Sequence, residues 1–186
     1  MPFGSLWLPV VVSAVAVWIA SAVLHMALRY HKADYRELPN EDAVGEAMRK
    51  GGAAPGLYMI PYCPDPSQMK DPAVIKKYTD GPVALVAVME NGTPKLGKHL
   101  VLWFAFCILV SFVSAYIARH TLSYGADGMT VLRITGAVAF ACHGIGYLID
   151  PIWKAAPWSN TLRNLFDAAV YSILTAVSFM LLWPPA

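Results

Sequence analysis

Four runs of about twenty mostly apolar residues constrain this chain more than any other feature: Leu6–Tyr30, Leu100–Arg119, Thr130–Asp150 and Leu162–Trp183. Roughly 20 such residues, wound as one helix, cross the hydrocarbon core of a bilayer. A helix is the conformation that survives there, because it satisfies its own backbone N–H and C=O groups. Only 14% of the residues are charged and 57% are hydrophobic, against about 25% charged in a soluble domain. So few charges cannot coat a surface facing water. The expected fold is an all-α integral membrane protein, a four-transmembrane-helix bundle.

Residues 1–30 form the expected first transmembrane helix, 31–98 a loop subdomain, and 99–186 transmembrane helices two to four, in a single membrane domain. The lead Met1–Ser5 is short and uncharged. No Lys or Arg precedes the first run, and that run exceeds the roughly 7–15 residues of a signal-peptide core, so it reads as a retained anchor. Pro9 falls in its first turn, where proline is tolerated. Ser13, Ala14, Ala20, Ser21 and Ala22 are small enough to admit a neighbouring helix. Trp7 and Tyr30 stand at opposite ends, as interfacial anchors do.

The 31–98 segment is far longer than a simple connection and is expected to carry structure of its own. Asn40 as N-cap, Glu41 and Asp42 in the first turn, and Arg49, Lys50 and Gly51 at the end predict a helix over 41–50. Asp71-Pro72 and Gly81 predict another over about 72–79. Leu57–Tyr62 and Val83–Met89 read as short strands, enough for a small β-hairpin. A two-stranded ribbon is marginal alone in water, and VALVAVM is apolar on both faces. Val83, Leu85, Val86, Val88 and Met89 are therefore expected to contact a partner, the bundle or the membrane surface. Trp153 and Trp158, in the Pro151–Asn160 link, are expected contacts of the same kind.

The link Thr121–Met129, with Gly125 and Gly128, predicts antiparallel second and third helices. The third is expected to end at Asp150, because a residue preceding proline disfavours helix. Ser159 or Asn160 is expected to cap the fourth. Twelve of the fourteen Lys and Arg residues fall on one side of such a bundle, and only Arg119 and Arg133 on the other. The positive-inside rule then makes the 31–98 loop cytoplasmic and places both termini outside, in a plasma (inner) membrane.

Ionisable groups inside the spans are costly and are candidates for function. His25, His143 and Asp167 come from three different helices. Each lies roughly 7–10 Å from the loop-side end of its span at 1.5 Å per residue. They are the expected cofactor-binding residues, as ligands of a haem or metal or as a proton or quinone relay. The competing reading is structural, a His–Asp bond that fixes helix register. A haem would need histidines facing each other on facing helices. Lipid is the expected contact of the outer faces, and no particular cofactor is specified. Gly136, Ala137, Gly144 and Gly146 are expected to serve close helix packing, and Arg119 and Arg133 to snorkel or pair with Asp127. His31 and Cys63 show no metal spacing, and Cys63, Cys107 and Cys142 form no CxxC pair.

P-loop, dinucleotide, HExxH, GxSxG and CxxCH signatures are all missing from the sequence. A net charge of +2 with no basic stripe gives no reason to expect nucleic acid. These features favour a small non-catalytic membrane subunit that scaffolds or stabilises a larger complex. Its expected partners are the lipid bilayer and other membrane subunits or a second copy. The alternative is a cofactor-binding (haem or quinone) or proton-relay protein using His25, His143 and Asp167. A further alternative is a small homo-oligomeric transporter.

Overall fold

A computed structural model describes residues 3–186; Met1 and Pro2, the start of the lead, lie outside the described residues, as does the side chain of Phe3. Four helical segments, Gly4–Ala27, Leu96–Thr121, Gly128–Trp153 and Trp158–Leu181, are long and apolar enough to cross a bilayer. Their regular α-helical parts are α1 (Trp7–Ala22), α4 (Leu96–Thr121), α5 (Gly128–His143) and α7 (Trp158–Leu181). Each packs against two others, giving the ring order α1–α4–α5–α7.

Hydroxyl side chains share the interior of this bundle with apolar ones, and large apolar side chains also cover its outside. Ser13, Ser111, Ser114, Thr135, Thr161, Thr175 and Asp167 are buried, while Trp7, Ile19, Val101, Leu109, Phe166 and Ile173 are exposed. Hydrocarbon gives apolar side chains no reason to leave the surface, so helix contacts rest on small residues and hydrogen bonds. Ser13 of α1 bonds Ser111 of α4 at 2.9 Å, and the Trp103 indole donates to Ser21 Oγ at 2.8 Å. Most buried hydroxyls also return a bond to a carbonyl of the preceding turn, as Thr135 does to Val131 and Thr175 to Tyr171.

The tightest approach is between α5 and α7. A Cβ placed on Gly136 would lie 3.1 Å from the Ala176 Cβ, and one on Gly144 would lie 2.9 Å from the Ala168 Cβ. Gly136 and Gly144 thus serve the close packing expected of them, whereas Gly146 faces open space. Two apolar clusters fill the interior: Leu6, Val10, Ala115, Val131 and Phe179 near one end, and Ala14, Val17, Leu24, Cys107 and Tyr171 further along.

The third span is not one helix to Asp150. The α-helix stops at His143, a 3-10 turn covers Ile145–Leu148, and a short α6 (Ile149–Trp153) follows. Pro151 lies inside α6, where the first turn has no use for the missing N–H. Neither Ser159 nor Asn160 caps α7; Pro157 holds the cap position, and α7 begins at Trp158. Asp127 caps α5, accepting from the Thr130 amide and hydroxyl.

Residues 37–94 form a second compact unit. Within it α2 (Glu41–Lys50) occupies the expected range, although Asn40 takes a left-handed conformation and its side chain caps nothing. Before α3 (Pro72–Asp80), the Asp71 carboxylate accepts from the Ala73 amide. Strands β1 (Gly56–Ile60) and β2 (Ala84–Val88) pair antiparallel, Gly56 opposite Val88 and Ile60 opposite Ala84. None of the described residues of this unit is buried. Val83, Leu85 and Met89 are exposed, and Val86 and Val88 half-buried.

Gly144→Ala should cost about 1–3 kcal/mol through overpacking, lowering the thermal midpoint of the detergent-solubilised protein. Gly146→Ala, whose Cβ would meet nothing within 4 Å, should leave it unchanged.

Candidate functional site

At the end of the bundle where α1 finishes and α7 begins, the backbone departs twice from regular helix. Val23–Ala27 winds as a π-turn, with the Leu28 amide reaching back to the Val23 carbonyl at 3.1 Å. Arg29 is then left-handed, with φ of 55°, and Tyr30–Asp34 forms a 3-10 turn. A left-handed non-glycine residue costs roughly 1–3 kcal/mol and persists only where its surroundings hold it. Here the reversal folds Tyr30, His31 and Asp34 back against α7.

Asp167 of α7 is the hub of what results. Its side chain is 4% exposed. The Tyr30 phenol donates to Oδ1, and His31 Nε2 lies 2.8 Å from Oδ2. The other ring nitrogen of His31, Nδ1, is 2.5 Å from Asp34 Oδ2. Arg163 pairs with Asp34 Oδ1 at 2.7 Å, and the Asn160 amide donates to the Asp34 carbonyl at 3.0 Å. A ring nitrogen and a carboxylate at such distances share a proton, so each side of His31 holds one. His31 thus bridges Asp34 and Asp167 through its two ring nitrogens, and Arg163 sets a positive charge against Asp34. The burial of Asp167 is tolerable because both of its oxygens are hydrogen-bonded.

His25 joins from the π-turn. Its ring stacks on His31 with centroids 4.2 Å apart and an interplanar angle of 6°. Nδ1 lies 3.1 Å from the Ser21 carbonyl, which can only accept, so this nitrogen carries the proton. Nε2 is left with its lone pair, 3.6 Å from Asp167 Oδ2, too far for a hydrogen bond.

His143 is elsewhere in the same hollow. It is buried and boxed by aromatic rings, with centroids 6.0 Å from Trp103, 5.5 Å from Phe106 and 5.4 Å from Tyr171. An open-sided cavity of about 610 Å³ touches all three expected residues, His25, His143 and Asp167, together with Trp103, Tyr147 and Tyr171. Trp153 and Trp158 are exposed and take no part.

Tyr30, His31, Asp34 and Arg163 are the members that sequence reasoning missed. His25 and His31 are six residues apart, roughly 240° around a continuous helix, and would point away from each other. Only the turn at Arg29 reunites them, and no local pattern announces it. No protein-family model matches the chain, and comparison with curated proteins and with solved structures finds no similar protein.

Asp34→Ala should leave His31 Nδ1 and Arg163 without their acceptor, costing about 1–3 kcal/mol. Asp34→Asn, which still accepts hydrogen bonds, should cost less; thermal unfolding of the two variants side by side checks the order.

Proposed function

We propose that this chain is a membrane protein that binds a flat, mostly apolar small molecule carrying hydrogen-bond acceptors, of the quinone class, in the cavity between its four long helices. The observation that carries this reading is the phenol of Tyr171. The side chain is deeply buried, and its hydroxyl has no hydrogen-bond partner among the described residues. An unsatisfied buried hydroxyl costs roughly 1–3 kcal/mol, which an acceptor oxygen on a ligand would recover.

The surroundings support the same class of molecule. Trp103, Phe106 and Tyr147 line the cavity with aromatic surface, which suits a planar ring. The His143 ring supplies a second polar group beside Tyr171, and its nitrogens make no hydrogen bond among the described residues. The volume, about 610 Å³, falls in the usual range for small-molecule sites, roughly 300–1,000 Å³. In this reading the loop between the first two spans is cytoplasmic and both termini are outside, as the distribution of basic residues supports.

A scaffolding role in a larger membrane complex is the second reading. It is favoured by the 37–94 unit, where the described residues include no buried side chain and Leu57 in β1 and Val83 and Met89 on either side of β2 are exposed. Such a unit has little core of its own, and a partner subunit would supply one. Purification in mild detergent should then recover a stoichiometric partner that a Leu85→Asp variant loses.

Titration of the purified protein with decylubiquinone tests the first reading through tryptophan fluorescence. Saturable quenching is expected, reduced in Trp103→Phe. Tyr171→Phe should weaken the apparent affinity roughly fivefold, the worth of a hydrogen bond of about 1 kcal/mol. Quenching that never saturates, or that is identical in the wild type and Tyr171→Phe, would refute it.

A further inference from the structure

One ligand atom from each of Asp167, His31 and His25 lies within 4.8 Å of the other two, and the Nε2 atoms of His31 and His25 stand 2.8 Å and 3.6 Å from Asp167 Oδ2. They come from α7, from the 3-10 turn after Arg29 and from the π-turn, so only the folded chain brings them together. We propose that these three atoms bind a divalent first-row transition metal ion as a two-histidine, one-carboxylate site at the rim of the cavity.

The separation of His25 from Asp167 motivates the assignment. The Ser21 carbonyl fixes the proton of His25 on Nδ1, which leaves Nε2 as the nitrogen that can ligate, 3.6 Å from the Asp167 oxygen. At 3.6 Å a shared proton does not reach. Two ligand atoms each about 2.0–2.2 Å from one ion stand roughly 3.3–3.5 Å apart in tetrahedral geometry, close to the 3.6 Å between His25 and Asp167; the His31–Asp167 pair, 2.8 Å apart around its shared proton, widens when that proton leaves.

The groups behind the ligands have the right chemistry. Metal-binding imidazoles characteristically donate their second ring nitrogen to a carbonyl or carboxylate, which fixes the tautomer and the ring. His25 does this to the Ser21 carbonyl and His31 to Asp34, which Arg163 and Asn160 hold in turn. The Tyr30 phenol occupies Asp167 Oδ1, leaving Oδ2 as the ligand atom. A donor set of two imidazoles and one carboxylate suits zinc, iron, cobalt or manganese rather than a soft ion or calcium.

Binding requires two adjustments. The ion displaces the proton between His31 Nε2 and Asp167 Oδ2, and that proton leaves for solvent. The parallel stack of the two rings also has to open, since an ion lies in the plane of each imidazole that binds it. His25 is the ring that turns: its side chain is 48% exposed and it borders the cavity, whereas His31 is clamped at both nitrogens. Three protein ligands leave coordination positions open, facing the cavity that His25 and Asp167 line. The site draws on neither Tyr171 nor His143, so it stands whether or not the cavity binds a quinone.

The test is titration of the untagged, detergent-purified protein with Co²⁺, followed by its visible d–d absorption and by metal analysis after desalting. One equivalent of cobalt is expected, displaced by Zn²⁺. His31→Gln and His25→Ala should each lower the affinity at least tenfold. Asp34→Asn, behind the ligands, should lower it roughly 10–100-fold, and His143→Gln should leave it unchanged. His25→Ala, at an exposed position, keeps the test valid if the His31 variant fails to fold. A wild-type protein that retains no cobalt, or equal binding in the wild type and His25→Ala, would overturn the proposal.

Discussion

One buried carboxylate governs the loop-side end of this bundle. Asp167 sits on a helix whose other buried positions include Ala168, Tyr171, Ser172, Thr175, Ala176 and Phe179. Hydrocarbon offers a carboxylate nothing, and an unpaired charge there is several kcal/mol too costly. The chain answers with two departures from regular helix. A π-turn rotates His25 inward, and a left-handed Arg29 folds Tyr30 and His31 under α7. Neither has a local energetic motive, since both give up regular hydrogen bonding or favourable dihedrals. Their compensation lies at Asp167, where three side chains converge on two oxygens.

The rest of the bundle makes that convergence precise enough to matter. Because lipid tails are as apolar as leucine, burial of aliphatic surface cannot choose one helix arrangement over another. Arrangement is chosen by shape and by hydrogen bonds: Gly136 and Gly144 admit α7, and Ser13 and Ser111 lock α1 to α4. The contact between α5 and α7 sets where α7 lies, and with it where Asp167 and Tyr171 point. Close packing at glycine is thus the mechanical basis of the cavity, even though Gly136 is not in its wall.

Much of this was readable in the residues alone. Span number, the 41–50 helix, the Asp71-Pro72 start and the strand pair follow from run length, capping chemistry and turn residues, all local in sequence. His25, His143 and Asp167 stood out because an ionisable side chain in an apolar run is conspicuous, and all three do border one cavity. What stayed hidden was non-local or conformational. The break after His143 has a glycine in its favour but no proline, while Pro151, which argued for a helix end, sits harmlessly in a first turn. His31 looked like an ordinary loop histidine, because its partner Asp167 is 136 positions away and the connecting turn depends on an arginine in a conformation that arginine rarely adopts. Asn40 shows the converse: the right residue at the right position, with the helix starting where expected, yet its side chain makes no cap.

The geometry of α7 links the two halves of the site. Asp167 and Tyr171 are four residues apart, so they project from the same face one above the other, separated by about 6 Å along the axis. Asn164, one turn earlier, lines the same cavity. The buried face of one helix therefore carries a graded series: an amide and a carboxylate at the polar rim, then a phenol deep among aromatic rings. A flat molecule lying along that face would place one end against the Tyr171 hydroxyl and the other beside Asp167 and His25. An ion held at Asp167 would face the occupant of the cavity across about one helical turn, too far for direct bonding to an atom at Tyr171. Only a molecule long enough to span the turn would touch both. The α7 face is thus a ruler as well as a wall, and it sets the minimum size of any ligand that engages both ends.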